Sequence, residues 1–269
     1  MPIISLVFPT YNAGPTVDET WSAARDFVLA RPDRWEVLFV CDGPSDGTSD
    51  RLHALAAQSN DPRFRVLAYE PNRGKGHAVR VGMLAARGKY RVFTDVDLAY
   101  RFDDIARVAD ELRSGAAVVI ASREHEESQI QLANKCVGYA FRRWIQSRVF
   151  GKIARTLLPI QSRDTQAGLK GMTAAVAERV LPNLACDGFG FDCELLTAFA
   201  RYRIPVTEVP VLVRYGDAAT STGGTGTMLR MMRDLWRIRR RWAANAFPAD
   251  VIAETISLTN HRSRQNVAA

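Results

Sequence analysis

The first 122 residues of the chain alternate between short apolar runs and segments with helical periodicity. The apolar runs are rich in β-branched and aromatic residues, as buried strands are, and they are IISLVF, WEVLFVC, FRVLAY, YRVFTD and AVVIAS. The helical patterns between them cover residues 16–30, 48–59, 76–87 and 102–114. Strands that alternate with helices of this length form βαβ units, so the pattern predicts an α/β fold. We expect a mostly parallel, Rossmann-like sheet with helices on both faces.

A polar loop follows each of the first four predicted strands. These loops are FPTYNAG, CDGPSDGT, EPNRGKG and TDVDLAY. In open parallel sheets, ligands bind beyond the carboxyl ends of the strands. We therefore expect the four loops to meet at one edge of the sheet and to form a binding site there.

Two carboxylates, Asp95 and Asp97, follow the fourth predicted strand with only Val96 between them. Like charges this close repel each other, so a counter-charge is needed. Mg²⁺ or Mn²⁺ suits that role, because these ions prefer oxygen ligands and Mg²⁺ is usually held by one or two carboxylates and substrate phosphates. A strand end with two solvated acids is the alternative, and the chemistry of the neighbouring loops favours the metal.

The other three loops carry groups that suit a nucleoside diphosphate. An aromatic ring can stack on a base, and an aspartate after a buried strand can accept hydrogen bonds from a base or ribose. Two cations beside glycines, just before a predicted helix, suit a diphosphate. Turn formation and helix capping are the alternatives, and capping is expected at Asp46 or Thr48. The candidate nucleotide-sugar-binding residues are Pro9, Thr10, Tyr11, Asn12, Asp42, Arg73, Lys75, Asp95, Val96 and Asp97.

The composition is that of a globular protein, with 47% hydrophobic and 24% charged residues among 269. Four cysteines lie far apart without a CxxC pair, which argues against a zinc site or a disulfide scaffold and for a reduced compartment. No run approaches the ~18 apolar residues of a membrane span, and the first apolar run lacks the flanks of a signal peptide. We therefore expect a soluble or peripheral protein.

The net charge of +7 is unevenly distributed, because residues 128–163 contain seven cations and no acid. Aromatic residues lie among these cations, and a pair of membrane-facing helices is one interpretation of the segment. A predicted helix near residues 228–244 places apolar side chains on one face and arginines on the other. Such a helix, here with tryptophans, fits an anionic membrane surface. It equally fits a helix that packs its apolar face on the domain.

In this order, FPTYN, DGPSDGT, NRGKG and DVD resemble the nucleotide-sugar half of family-2 glycosyltransferases with the GT-A fold. RDTQAGLKGMT, GFGFDCELL and MMRDLWRIRRRW are similar to segments of dolichyl-phosphate β-glucosyltransferases and polyprenyl-phosphate mannose synthases. The resemblance implies a GT-A domain over residues 1–215, with a nucleotide-sugar half (1–122) and an acceptor half (123–215). A flexible loop and a basic amphipathic helix (216–247) and a frayed tail (248–269) would follow.

The resemblance also implies residue roles. Asp95 and Asp97 would bind the metal that bridges the donor diphosphate, and Asp42 would hold the base or ribose. Two positions depart from the relatives. Ala99 stands where many mannose synthases carry a glutamine that can bind the metal, and Cys41 stands where many relatives carry an aspartate. These departures leave the identity of the nucleotide open.

The implied acceptor is a polyprenyl or dolichyl phosphate, whose phosphate oxygen is already ionised near neutral pH. Cations that position this phosphate then matter more than a general base. Asp164 matches a position where many family-2 enzymes keep a base or an acceptor-orienting carboxylate, and a structural salt bridge is its alternative role. Asp192 is interpreted as a helix N-terminal acid, with a substrate role left open. The candidate acceptor-binding residues are Arg123, Arg143, Arg148, Arg163 and Gln166.

We therefore expect an inverting, metal-dependent glycosyltransferase that moves a sugar from a nucleoside diphosphate to a polyprenyl phosphate, with UDP-glucose as the first donor to consider. We expect it to be cytoplasmic, bound peripherally at the cytoplasmic face of a membrane through the helix around Arg230–Trp242. A GDP-mannose-dependent synthase and an enzyme for a soluble acceptor are the alternatives. A nucleic-acid partner is not expected, because the aromatic residues follow helical spacing and no RRM, KH or OB signature occurs.

Overall fold

A computed structural model describes residues 2–31, 34–132, 137–215 and 225–244, without the side chains at 132–145 and 214–229. The strands are β1 (Ile4–Thr10), β2 (Trp35–Asp42), β3 (Phe64–Tyr69), β4 (Tyr90–Phe93), β5 (Val118–Ala121), β6 (Gln129–Leu132), β7 (Lys170–Thr173), β8 (Val206–Val209) and β9 (Leu212–Tyr215). The helices are α1 (Thr16–Leu29), α2 (Thr48–Ser59), α3 (Lys75–Ala85), α4 (Phe102–Arg113), α5 (Val137–Leu157), α6 (Ala174–Val180), α7 (Phe191–Arg201) and α8 (Thr225–Ala243).

Seven of the described strands form one sheet in the order β3-β2-β1-β4-β7-β5-β8. Strand β7 is antiparallel to both of its neighbours, and the other pairs are parallel. Strands β6 and β9 pair in parallel as a small second sheet. The prediction of a mostly parallel sheet is confirmed, and the five predicted strands and four predicted helices correspond to β1–β5 and α1–α4.

Helices cover both faces of the large sheet, as predicted. On one face, α1 and α4 enclose a core in which the Trp21 and Phe39 rings stack at 5.3 Å. On the other face, α3, α6 and α7 enclose a second core, and Phe191 of α7 meets Phe93 of β4 edge-on. Strands β1 and β2 are buried at every position, because they lie inside the sheet and are covered on both sides.

The segment 128–163 differs from the helix-pair interpretation. Its described part contains strand β6 and one helix, α5, whose Phe150 and Ala154 lie in the second core. Strand β6 was not predicted, because its pairing with β9 depends on residues more than eighty positions away. Within the described chain, no helix is both long enough and apolar enough to cross a membrane.

Helix α8 lies where the C-terminal helix was predicted. Leu235 and Ile238, which belong to its apolar face, are 0% and 2% exposed and sit in the second core. This packing matches the alternative in which the apolar face contacts the domain, whereas Trp236 is 57% exposed. The predicted flexible loop (216–224) and the tail (248–269) lie outside the described residues, and the predicted domain boundaries stay a prediction.

Candidate active site

The four polar loops meet at one edge of the sheet, as predicted. Strands β3, β2, β1 and β4 are parallel neighbours in that order, so their carboxyl ends point the same way. Each strand is followed directly by one of the loops, which places FPTYNAG, CDGPSDGT, EPNRGKG and TDVDLAY side by side. This edge is the ligand-binding edge of such sheets.

The loop after β1 is braced against the loop after β2. Asn12 Oδ1 accepts a hydrogen bond of 2.8 Å from the Ser45 backbone amide, and Asp46 Oδ2 accepts one of 3.1 Å from the Gly14 amide. Asp46 Oδ1 also accepts a hydrogen bond of 3.0 Å from the Thr48 amide at the start of α2, but the N-cap residue of this helix is Gly47, so Asp46 acts from one position before the cap that was predicted for Asp46 or Thr48. Tyr11 remains 51% exposed on this hydrogen-bonded turn, where its ring is open to a ligand.

Pro9 and Thr10 lie inside β1 rather than in the loop itself. Both are buried, and Thr10 Oγ1 donates a hydrogen bond of 3.0 Å to the Phe8 carbonyl of its own strand. Their contact with a nucleotide stays a prediction. In the structure they form the buried base from which the Tyr11 turn projects.

The Asp42 carboxylate organises the loop after β3. Asp42 is 2% exposed, and its oxygens accept hydrogen bonds from the amides of Arg73 and Gly74, each at 2.8 Å, and from Asn72 Nδ2 at 2.9 Å. These bonds determine the shape of the loop that carries Arg73 and Lys75. The predicted contact of Asp42 with a base or ribose stays a prediction.

Gly74 allows this loop to pack against residues 187–188. Its φ is +110°, which L side chains rarely adopt, and a Cβ there would lie 2.6 Å from the Asp187 carbonyl oxygen. Arg73 is half-exposed, with a guanidinium nitrogen 3.7 Å from the Asp187 carboxylate. Helix α3 begins at Lys75, so the predicted combination of cations, glycines and a helix N-terminus is present.

Lys75 supplies a counter-charge to the paired carboxylates. Its Nζ lies 2.6 Å from Asp95 Oδ1. Burial alone would lower the pKa of Lys75, but Asp95, Asp192 and Asp97 raise it above its ordinary value, so the ammonium stays charged. Lys75 was predicted to contact a diphosphate, and its pairing with Asp95 was not foreseen.

Asp95 and Asp97 are both accessible from solvent. The Asp95 side chain is one-third exposed, and Asp97 is exposed and accepts a hydrogen bond of 3.1 Å from the Ala99 amide. Between them, the Val96 carbonyl accepts a hydrogen bond of 2.6 Å from Thr20 Oγ1, which fixes the loop to α1. Strand β4 ends at Phe93, so both acids belong to the loop, as expected.

The two carboxylates fit a Mg²⁺ or Mn²⁺ ion that is completed by a ligand. Within the described ranges, His, Cys, Asp and Glu side chains do not gather in groups of three or more that could hold a metal alone. Mg²⁺ does not require such a group, because it is commonly bound through one or two carboxylates plus phosphate oxygens and water. Asp95 and Asp97 offer the hard oxygen atoms that these ions prefer.

Behind Asp95 lies a buried ion pair that the sequence interpretation missed. Lys170 is fully buried in β7, its Nζ lies 2.6 Å from Asp192 Oδ1, and it also donates to the Ala167 carbonyl. Asp192 was interpreted only as a helix N-terminal acid. A lone lysine within a strand of small and apolar residues is the signal that could have pointed to a buried partner.

Gly168 forms the back wall of the carboxylate site. A Cβ at this position would overlap Asp95 Oδ2, and the Gly168 amide donates a hydrogen bond of 3.1 Å to the Tyr100 hydroxyl. Burial raises the pKa of Tyr100, and the charges of Arg123, Asp164 and Asp95 also act on it. The Tyr100 hydroxyl is therefore within electrostatic reach of both the Asp95 carboxylate and the Arg123–Asp164 pair.

Asp164 is a buried partner of Arg123. Its Oδ2 lies 2.6 Å from Arg123 Nε, its Oδ1 lies 2.8 Å from Arg123 Nη2, and Oδ1 also accepts from the Gln166 amide at 3.0 Å. Burial alone would raise the pKa of Asp164, but the Arg123 guanidinium lowers it to about 2. The carboxylate therefore has very little affinity for a proton at neutral pH, and the salt bridge named as its alternative role is present.

Of the remaining acceptor candidates, one belongs to the cluster formed by Arg123, Asp164 and Ser147, and two lie at the surface. Ser147 of α5 accepts a hydrogen bond from Arg123 Nη2 at 3.2 Å and donates one to Gln166 Oε1 at 2.9 Å, so Gln166 joins the cluster. Arg163 is 61% exposed and lies 3.6 Å from Glu126. Arg148 is also exposed. Position 143 lies one helical turn before Ser147 in α5, and its side chain is outside the described residues.

A cleft of about 470 Å³ opens between the loop that carries Arg73 and Lys75, residues 185–189 and helix α8. Cationic side chains outnumber acidic ones in its lining. The surroundings of the loop therefore favour an anionic ligand, in agreement with the cations of the loop itself.

Comparison with known proteins identifies the family. The model of glycosyl transferase family 2 matches residues 5–181. The dolichyl-phosphate beta-glucosyltransferase of Saccharomyces cerevisiae is 30% identical over 256 residues, which cover 88% of this chain and 74% of that protein. The Homo sapiens dolichyl-phosphate beta-glucosyltransferase is 28% identical over 255 residues, covering 91% of this chain and 77% of that protein.

The fold agrees with that of solved structures. Glucosyl-3-phosphoglycerate synthase from Mycobacterium tuberculosis in complex with UDP matches with a TM-score of 0.62 at 18% identity, over 88% of this chain and 80% of that chain. Its complex with Mn²⁺ and UDP-glucose matches with a TM-score of 0.59 at 18% identity, over 88% and 79%. The order of strands around the carboxylate loop, the shared GT-A fold and the family match lead to one conclusion: the chain belongs to glycosyl transferase family 2 and is a glycosyltransferase.

Proposed function

We propose that the protein transfers glucose from UDP-glucose to a polyprenyl phosphate of the dolichyl type, with Mg²⁺ or Mn²⁺ held by Asp95 and Asp97. The observation that carries the proposal is the meeting of the four loops at one sheet edge, where an accessible carboxylate pair lies beside Lys75. The names of the relatives support the sugar and the acceptor. The UDP-glucose and Mn²⁺ complex of the structural neighbour supports the donor and the metal.

The donor half provides places for the base and for the diphosphate of the nucleotide sugar. Tyr11 is exposed and can stack on the base, while Arg73, Lys75 and the start of α3 can bind the diphosphate. The bound metal would neutralise negative charge that develops on the leaving diphosphate. Attack from the face opposite the leaving group inverts the anomeric configuration.

The Arg123–Asp164 pair favours an acceptor that is already ionised. With a pKa of about 2, Asp164 is a poor general base, so it does not suit the deprotonation of a hydroxyl acceptor. A phosphate monoester needs no such base and benefits from a positioned cation. Arg123, which Asp164 and Ser147 hold in place, is the described cation that best fits this role, and Arg143 would assist it.

Association with a membrane surface is part of the proposal, because a lipid-linked acceptor is reached at the interface. Helix α8 presents an exposed row of arginines around Trp236, whereas its apolar side is buried in the domain. Contact would therefore rest on electrostatic attraction to anionic lipid and on Trp236, at the cytoplasmic face. The exposed residues of this surface are Arg230, Arg233, Trp236, Arg237, Arg239 and Arg240.

Vesicle sedimentation tests the membrane component. We expect binding to vesicles that contain phosphatidylserine, weak binding to phosphatidylcholine alone, and loss of binding at high salt or in a Trp236→Ala, Arg237→Gln, Arg240→Gln variant. Equal binding to both kinds of vesicle, or full binding by the variant, would contradict it.

A transfer assay tests the reaction. The full chain is incubated with radiolabelled UDP-glucose and dolichyl phosphate in detergent, with Mn²⁺ or with EDTA. We expect a glucosylated lipid that forms with Mn²⁺, does not form with EDTA, and is absent with Asp95→Asn. Asp110→Asn, which changes an exposed acid of α4, is the matched control and retains activity.

Parallel reactions separate the alternatives. GDP-mannose replaces the donor in one arm, and 3-phosphoglycerate or a free saccharide replaces the lipid in another. A preference for GDP-mannose would make the protein a mannose synthase. Efficient transfer to a soluble acceptor without lipid would overturn the lipid acceptor.

A further inference from the structure

Lys75 occupies one of the positions at Asp95 that a bound metal ion could use, because it contacts Oδ1 directly. The Lys75 Nζ lies 2.6 Å from Asp95 Oδ1, and a Mg²⁺ ion bound to the same oxygen would lie at about 2.1 Å from it. Two positive centres that contact one carboxylate oxygen repel each other strongly. An ion on Asp95 Oδ1 is therefore strongly disfavoured unless Lys75 moves or a further anion neutralises it.

Several features hold Lys75 at this position. Only 18% of its side chain is exposed, and it belongs to the first turn of α3, directly after Gly74, whose amide is bonded to Asp42. Asp192, which is fixed by Lys170, adds a second carboxylate that favours the charged form of Lys75. Positive and negative charges thus alternate from Lys170 through Asp192 and Lys75 to Asp95.

A donor diphosphate would change this balance. It carries negative charge to the loop that includes Lys75, so it offers the ammonium a new partner and offers the metal additional oxygen ligands. Asp95 would then become available to the ion at the moment when the donor arrives.

We propose that Lys75 is a positioning residue that acts as the built-in counter-ion of Asp95, so that the carboxylate pair binds a divalent cation tightly only together with the donor diphosphate. The inference rests on the proposed function and extends it to the order of binding. It predicts that the loss of Lys75 has opposite effects on two affinities. Binding of the metal alone becomes tighter, whereas the gain in metal affinity that UDP provides becomes smaller.

Mn²⁺ titrations followed by electron paramagnetic resonance test this directly, because the signal of free Mn²⁺ reports binding without any turnover. Wild type, Lys75→Met and Lys89→Met are titrated with and without UDP. Lys89 is an exposed lysine that precedes β4, at the opposite end of the strand from Asp95, so Lys89→Met removes the same charge away from the site. Lys75→Arg is titrated as well, because it keeps a positive charge at position 75.

We expect Lys75→Met to bind Mn²⁺ without UDP about tenfold more tightly than wild type. Lys75→Arg and Lys89→Met should resemble wild type, in which UDP strengthens Mn²⁺ binding by about tenfold or more. Equal UDP-free affinities in wild type and Lys75→Met would overturn the inference. If Lys75→Met does not fold, Lys75→Gln, which also removes the charge, takes its place. Equal Mn²⁺ affinities of Lys75→Gln and Lys75→Arg in the absence of UDP would then overturn the inference. Failure of Mn²⁺ to bind wild type even with UDP would contradict the proposed function itself.

Discussion

Gly168 lies so close to Asp95 that a Cβ at position 168 would overlap the Asp95 carboxylate. Gly168 precedes β7, the antiparallel strand that is inserted between β4 and β5. The segment that carries Asp164 and Gln166 is thereby continuous with the wall behind the Asp95 carboxylate. The Gly168–Asp95 contact joins the segment of the predicted acceptor residues to the loop of the predicted metal ligands.

Gly168→Ala is expected to weaken metal binding more than it weakens the fold. The backbone at Gly168 is not in the left-handed region, so alanine is allowed there, but its methyl group would push the Asp95 carboxylate aside. We expect Mn²⁺ affinity in the presence of UDP to fall by about tenfold, whereas the loss of stability stays near 1 kcal/mol. Calorimetric titration and urea unfolding measure the two effects. Unchanged Mn²⁺ affinity would show that the close contact has no role in the site.

Asp164→Asn tests whether Asp164 is a base or a partner of Arg123. The substitution removes the charge that holds Arg123, and breaking a buried ion pair costs roughly 3–5 kcal/mol. We expect lower stability and reduced transfer, with a pH–rate profile of unchanged shape. A folded variant in which transfer falls by about 10²–10⁴-fold, and in which the residual activity lacks the acidic limb of the wild-type profile, would instead assign Asp164 the role of a base.

The same pair makes the stability of the fold depend on acid pH. The pKa of Asp164 is lowered from 3.8 to about 2 in the folded state, so the folded form releases the proton more readily than the unfolded form. This contribution, about 2 kcal/mol, is present above pH 4 and is lost as the pH falls through 2. Unfolding free energies of wild type and Asp164→Asn between pH 5 and 2 should therefore converge. A constant difference across this range would contradict the assignment.

The position of the loops at the sheet edge could be predicted from the sequence, but the contacts between their side chains could not. Asp95 and Asp97 were assigned to the sheet edge because strand length and alternation are local properties, visible around YRVFTD. The pairing of Lys75 with Asp95, and of Asp42 with the amides of Arg73 and Gly74, depends on which strands are neighbours. The local sequence pattern does not show which strands are neighbours in the sheet.

The acceptor half illustrates the same limit. Nothing in RDTQAGLKGMT indicates that its strand is inserted antiparallel between β4 and β5, and this insertion alone brings Gly168 to Asp95 and Lys170 to Asp192.

The helical wheel of α8 also misplaced Arg241. Arg241 was counted among the arginines opposite the apolar face of the helix, but its Nη1 lies 2.6 Å from Glu194, a buried carboxylate of α7.

Lys170→Met is expected to destabilise the protein, because it leaves the Asp192 carboxylate in the interior without its ammonium partner. The expected cost is roughly 3–5 kcal/mol, and Lys170→Met combined with Asp192→Leu should recover most of it. Denaturant unfolding of the single and double variants measures the difference. A single variant as stable as wild type would show that the pair is not needed for folding.

Arg241→Met is expected to loosen the attachment of α8. Glu194 is 1% exposed and also accepts hydrogen bonds from the Ala185 and Cys186 amides at 2.8 and 2.7 Å, so losing the guanidinium weakens a buried network. We expect a stability loss of roughly 3 kcal/mol and faster hydrogen exchange in residues 185–190. Arg240→Met changes an exposed arginine of the same helix and should have neither effect. Equal behaviour of the two variants would contradict the role of the Glu194–Arg241 pair.

The proposed reaction depends on a metal ion that bridges the carboxylate pair and the donor, and crystallography of a donor complex can locate that ion. Crystals of the protein with MnCl₂ and UDP-glucose, measured at the manganese absorption edge, identify the ion by its anomalous signal. We expect one peak within about 2.2 Å of oxygens of Asp95 or Asp97 and of the donor diphosphate, at the edge formed by β3, β2, β1 and β4. A peak elsewhere, or UDP-glucose bound away from this edge, would contradict the account.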